Sequence, residues 1–155
     1  ERMPERGQYA PVVAIFQRQH RKGDTITIVG DGLQSRDFVY VMDTVSGLIS
    51  LLKPSCKPGE IYNICTGKSF QINDVIKSLK KITGHNPKII ISKNRFRKAE
   101  VYNLKGSNKK IQSSNKWKPQ YINYTGFKKA LSETYEWFKQ EKNLSKYANI
   151  KKYNI

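Results

Sequence analysis

At 155 residues and 37% hydrophobic content, the chain is long enough for one domain but poor in core material, since soluble domains hold roughly 45–50% on a similar count. The net charge of +17 sits mainly in residues 85–155, with 17 basic and 4 acidic side chains against 12 and 8 in residues 1–84; the lysines are dispersed without a stripe, so a solvated surface is expected ahead of a nucleic-acid or membrane face. Cys56 and Cys65 lie in no CxxC pair, no histidine stands near them at metal spacing, and no apolar run approaches the ~20 residues of a membrane span, which leaves a zinc module and a helical membrane protein without support and fits a reducing cytoplasm.

Residues 1–8 are polar with Pro and Gly and read as loop. The chain opens on Glu1-Arg2-Met3-Pro4, which looks like the inside of a loop and suggests a fragment. Residues 9–21 read as a helix with Val12, Ile15, Phe16 and Gln19 on one face, Pro11 in the first turn and Gly23 as the stop. Residues 25–29 alternate with period two and form a strand with Ile26 and Ile28 on one side. The turn Gly30-Asp31-Gly32 follows, built from residues that tolerate left-handed backbone angles. Arg36 leaves this turn at the edge of a second strand, residues 37–41. A guanidinium on so rigid an element is placed to grip a phosphate or carboxylate with paired hydrogen bonds. Asp43 is expected to cap a helix over residues 44–52 that buries Val45, Leu48, Ile49 and Leu52. Residues 60–65 read as a strand, and Ile72, Val75, Ile76, Leu79 and Ile82 form the face of a helix ended by Thr83-Gly84. Gln71 precedes that helix; because glutamine caps poorly, Asn73 is the expected cap. A strand over residues 87–92, a short helix over 110–115 and a last helix with Phe127, Ala130, Leu131, Tyr135 and Phe138 inward complete the chain, with a polar, frayed tail from Asn143.

The stretch GDGLQSRDFVYVMD resembles a segment in the C-terminal half of the extended short-chain dehydrogenase/reductase family, the NAD-dependent nucleotide-sugar epimerases and dehydratases. EIYNICTGKSFQINDV resembles that family's Tyr-Asn-Ile-Gly-x-Gly strand and helix, with Cys65 where Gly is usual and could crowd a close backbone approach. Asn115-Lys116-Trp117-Lys118-Pro119 is similar to its Gly-Trp-Lys-Pro turn, and SETYEWFKQ to its closing helix. The resemblance spans about Gly7 to Lys142. It implies an α/β chain that is the C-terminal portion of a Rossmann-type extended fold, with residues 1–142 as a small mixed α/β substrate-binding part and 143–155 as tail. The N-terminal half, with the glycine-rich NAD turn and the Tyr-Lys pair, is absent from it.

The resemblance also implies roles. Arg36 would bind the substrate's diphosphate, with Arg97, three residues before Glu100, on its second face. Pro11 and Val12 would touch the nucleotide, Thr27 and Val29 would line the base pocket, and Gln71 would meet the sugar nucleotide. Lys98-Ala99 replaces the family's Pro-Gly, and valine at 29 stands where some relatives place an aromatic, which leaves the base open. No catalytic residue is expected here. The parent would be an enzyme of the UDP-glucose 4-epimerase type, because RGQYAPVVAIF resembles that branch, or else a 4,6-dehydratase or UDP-glucuronate decarboxylase. It would use NAD held by the missing half and form a homodimer, while this chain alone would be inactive. A basic module for nucleic acid or an anionic surface is the reading of another class.

Several motifs are turned down. Gly30-Asp31-Gly32-Leu33-Gln34-Ser35 imitates a dinucleotide fingerprint, but a strand follows it and Ser35 takes the third glycine's place. Tyr135 and Lys139, and Tyr147 and Lys151, copy the spacing of the family's catalytic pair but come after the substrate region, in the wrong order. His20 and His85 read as surface residues. Tyr and Lys interleave near the C-terminus without spacing that makes a single-strand groove.

Overall fold

The computed structural model describes residues 10–92 and 101–148. Helix α1 (Val12–Lys22) starts from Pro11 as N-cap and ends on Gly23 at φ +69°. It is followed by β1 (Ile26–Val29), β2 (Ser35–Arg36) and α2 (Val41–Ser50). Next come β3 (Phe70–Gln71), α3 (Ile72–Thr83), β4 (Ile89–Ser92) and β5 (Asn103–Leu104). Helices α4 (Lys109–Asn115), α5 (Tyr124–Lys139) and α6 (Glu141–Ala148) close the described chain.

Two small sheets organise the strands. β1 and β4 pair in parallel, with Ile26 opposite Ile89 and Ile28 opposite Ile91. The second sheet has the order β3-β2-β5, with β2 antiparallel to β3 and parallel to β5. The core forms where α1, α3 and α5 meet the inner face of β1. Phe16, Ile26, Ile28, Ile72, Val75, Ile76, Leu79, Phe127, Leu131 and Tyr135 pack there. The expected faces of α3 and α5 are therefore the ones buried, and Tyr135 is a core residue rather than half of a catalytic pair.

The structure corrects several expectations. The buried residues of α1 are Ala14, Phe16, Gln17 and His20, not Gln19. His20 is 0% exposed rather than a surface residue, because the C-terminal end of α1 packs on α3. The strand expected over residues 37–41 reduces to Ser35–Arg36 on the ladder, and the chain turns into α2 with Tyr40 as N-cap. Asp43 does not cap that helix; it sits inside the first turn at 1% exposure. Its two oxygens accept from the Gln120 and Tyr121 amides at 2.8 and 3.0 Å. The tail continues past Asn143 as α6, with Asn143 Nδ2 donating to the Trp137 carbonyl at 2.9 Å.

The largest correction concerns α2. Its apolar stripe is present, but Val45, Leu48, Ile49 and Leu52 are 41%, 55%, 62% and 84% exposed. The helix instead turns its small and polar face inward. Gly47 meets Ile64, Ser46 accepts from Trp117 Nε1 at 3.0 Å, and Ser50 accepts from Asn115 Nδ2. Residues 60–65, expected as a strand, join no ladder among the described residues, and Ile61 is 82% exposed. Ile64 and Cys65 of that segment still pack inward, Ile64 against Gly47 of α2.

Candidate functional site

The turn between β1 and β2 is built by its glycines and fixed by its neighbours. Gly30 and Gly32 adopt φ of +78° and +75°. Asp31 accepts from the Leu33 amide at 2.9 Å, an Asx turn that closes the bend. The Asn73 amide donates to the Gly32 carbonyl at 3.0 Å and its side chain to the Asp31 carbonyl at 3.2 Å. Asn73 thus ties α3 to the turn and does not cap α3. The cap is Gln71, in a capping box with Asp74, which accepts from the Gln71 amide at 3.0 Å.

The rigid turn delivers Arg36 onto β2. This is the central strand of its sheet, because the segment after residue 100 adds β5 on the far side. Arg36 Nη1 donates to the Ser35 carbonyl at 2.9 Å and to the Val101 carbonyl at 2.7 Å. These two bonds fix where the guanidinium stands. Ser35 bonds the same incoming segment: its amide donates to the Tyr102 carbonyl at 2.6 Å and its hydroxyl to Asn103 Oδ1 at 3.0 Å.

Asp37 comes next, and sequence reasoning gave it no role. Its Oδ1 accepts from the amide and hydroxyl of Thr66, and its Oδ2 from the amides of Gly67 and Gly106. An aspartate at a strand position, where that residue is depleted, is the signal that could have found it. Cys65, in the same corner, is buried with its thiol against Gly106, so the crowding anticipated from a cysteine at this position falls on a glycine that has room for it. Burial, and after it the Asp37 charge, pushes the Cys65 thiol pKa up, so this sulfur is a packing group rather than a nucleophile.

The other candidates fall into separate places. Gln71 lies on β3 opposite Ser35, one register step from Arg36, and is exposed. Pro11 and Val12 line an apolar cleft of about 380 Å³ with Phe38, Tyr40, Tyr121 and Phe127, which does not include Arg36 or Gln71. Thr27 and Val29 are half-buried on the outer face of β1, opposite Ile90 and Ser92. Arg97 lies outside the described residues. The structure therefore brings Arg36 and Gln71 onto one small sheet and keeps Pro11 and Val12 in a different cleft.

Residues 2–130 match the GDP-mannose 4,6 dehydratase family. The chain belongs to this family. Its relatives are nucleotide-sugar epimerases, dehydratases and decarboxylases of the extended short-chain dehydrogenase/reductase type. One is the UDP-N-acetyl-alpha-D-glucosaminuronate decarboxylase of Bacillus cytotoxicus, 29% identical over 88% of this chain and 42% of that protein. Among solved structures, the Thermotoga maritima UDP-glucose 4-epimerase with UDP-glucose is 31% identical with a TM-score of 0.73, covering 89% of this chain and 42% of its own. The Bacillus cereus UDP-glucuronic acid 4-epimerase, solved with UDP-glucuronic acid and NAD, is 25% identical with a TM-score of 0.73, covering 84% and 40%. The chain thus spans about two fifths of the relatives it matches.

A dinucleotide pyrophosphate rests on a glycine turn that opens a helix. Here the Gly30-Asp31-Gly32 turn leads into β2 and not into a helix, so this turn does not fit that role. Among the described residues no group of three or more His, Cys, Asp or Glu could hold a metal ion, and no helix is long and apolar enough to cross a membrane.

Proposed function

We propose that this chain is the substrate-binding part of a nucleotide-sugar epimerase of the UDP-glucose 4-epimerase type, and that Arg36 and Arg97 bind the diphosphate of the substrate. The observation that carries the reading is the guanidinium of Arg36, held on the central strand of a small sheet by the Val101 carbonyl at 2.7 Å. Val101 enters that sheet directly after the segment that contains Arg97. A guanidinium fixed on a strand suits linked phosphates, which take paired hydrogen bonds from such groups. Gln71, Pro11, Val12, Thr27 and Val29 are proposed as contacts to the rest of the nucleotide sugar, from the elements that flank this sheet and from the apolar cleft.

The redox cofactor and the catalytic base belong, on this reading, to the remainder of the enzyme. That remainder would cover the exposed stripe of α2 and pair with residues 60–65, which gives both features a partner. A dehydratase is the second reading, favoured by the family that the chain matches; the substrate-binding role of the arginines is the same in both.

The test is Arg36→Ala in the full-length enzyme, with UDP affinity measured by calorimetry. Each charge-assisted contact contributes about 1.5–3 kcal/mol, so affinity should drop by about 10- to 150-fold. Unchanged UDP affinity would overturn the reading.

A further inference from the structure

Asp37 makes four hydrogen bonds, at 3.0 and 2.5 Å to the amide and hydroxyl of Thr66, 2.9 Å to the Gly67 amide and 3.3 Å to the Gly106 amide. We propose that Asp37 is a positioning residue for the diphosphate-binding Arg36: it locks the 101–106 segment that holds Arg36 and so sets where that cation stands. The inference rests on the diphosphate reading given above.

Consecutive side chains along a strand point to opposite faces, so Asp37 works from behind the face that Arg36 presents. The carboxylate has about four acceptor sites, and the structure fills all of them with donors. It has nothing left for a substrate hydroxyl, which sets it apart from a general base.

What Asp37 joins is specific. Arg36 holds the start of the returning segment through the Val101 carbonyl, and Asp37 holds its end through the Gly106 amide. Between them, the Asp37 amide donates to the Leu104 carbonyl at 3.0 Å. The same carboxylate anchors the turn at Thr66 and Gly67, with Gly67 at φ +71°. Buried Asn108 closes the loop by donating to the Cys65 carbonyl at 2.9 Å. Arg36 at the end of β2 and Asp37 directly after it thus clamp the segment on both sides of β5.

The carboxylate cannot be exchanged for an amide without loss. An asparagine keeps one acceptor oxygen, and its NH2 group would face the Gly67 and Gly106 amides donor to donor. The end of the segment would then be released while the rest of the fold keeps its core.

The experiment compares UDP with uridine on the full-length enzyme carrying Asp37→Asn, Arg36→Ala or both, together with steady-state kinetics. Asp37→Asn should weaken UDP about tenfold and leave uridine unchanged, because only the phosphates feel the arginines. KM should rise with little change in kcat. In the Arg36→Ala background, Asp37→Asn should add less than about threefold, since it acts through that arginine. Thr66→Val, which removes one of the four donors, should move UDP affinity in the same direction by a smaller factor, and it serves if Asp37→Asn fails to fold. An equal loss for uridine and UDP, or full additivity with Arg36→Ala, would overturn the positioning role. Unchanged UDP affinity in Asp37→Asn, with a loss in Arg36→Ala, would overturn it and leave the diphosphate reading standing. Unchanged affinity in Arg36→Ala would remove both.

Discussion

Mild acid should destabilise this protein through one side chain, His20. The ring is 0% exposed where α1 packs on α3, with Nδ1 at 3.4 Å from the Thr83 hydroxyl and Nε2 without a hydrogen-bond partner among the described residues. Burial, and after it the charges of His85 and Lys80, lowers its pKa from 6.5 to about 4. The unfolded chain takes up this proton as pH falls through about 6.5, and the folded chain only near 4. Between those values the unfolded state binds more protons, so stability falls as pH falls. The full gap is worth about 3 kcal/mol, of which about 2 kcal/mol is lost between pH 7 and 5. For a domain of this size that lowers Tm by roughly 4–8 °C. Thermal melts followed by circular dichroism at half-unit pH steps would measure it, with His20→Gln as the comparison. The variant should show a much flatter dependence over the same window, whatever its absolute stability. A wild-type Tm that does not move, or an equal slope in the variant, would refute the reasoning.

Two further outcomes are expected. A Cβ on Gly106 would stand 2.6 Å from the Cys65 sulfur and 2.8 Å from its Cβ. Gly106→Ala should therefore cost about 1–3 kcal/mol in chemical denaturation, and Cys65→Gly, but not Cys65→Ala, should recover most of it, because the Cβ contact persists in alanine. Ile49 is 62% exposed on α2. Ile49→Lys should change the stability of the 155-residue chain by less than about 0.5 kcal/mol, yet cost the full-length enzyme more than about 2 kcal/mol if the remainder covers that stripe. Equal effects in the two proteins would argue against the covering.

Periodicity identified α3 and α5 and their inward faces, because both helices bury those faces against partners within this chain. The same periodicity in α2 identified an apolar stripe and assigned it to the wrong environment. A stripe at i, i+3, i+4 and i+7 states which residues share a face and is silent on what lies opposite. Residues 60–65 make the same point for a strand, which exists as a ladder only when a second strand supplies the hydrogen bonds. At Lys116 the similarity to a Gly-Trp-Lys-Pro turn was informative in another way: the lysine holds φ +61°, the left-handed angle that a glycine there would take without strain.

From the amino-acid order alone came the family resemblance, the glycine turn, the arginine after it and the amphipathic helices, all of which depend on neighbours within a few residues. Only the tertiary structure decided that Arg36 lies on a central strand, that Asp37 and Asp43 are bonded to distant backbone amides, and that His20 is buried. Those outcomes depend on which segments return from 29 to 78 residues away to meet them, and pairing at that distance leaves no periodic trace in the sequence.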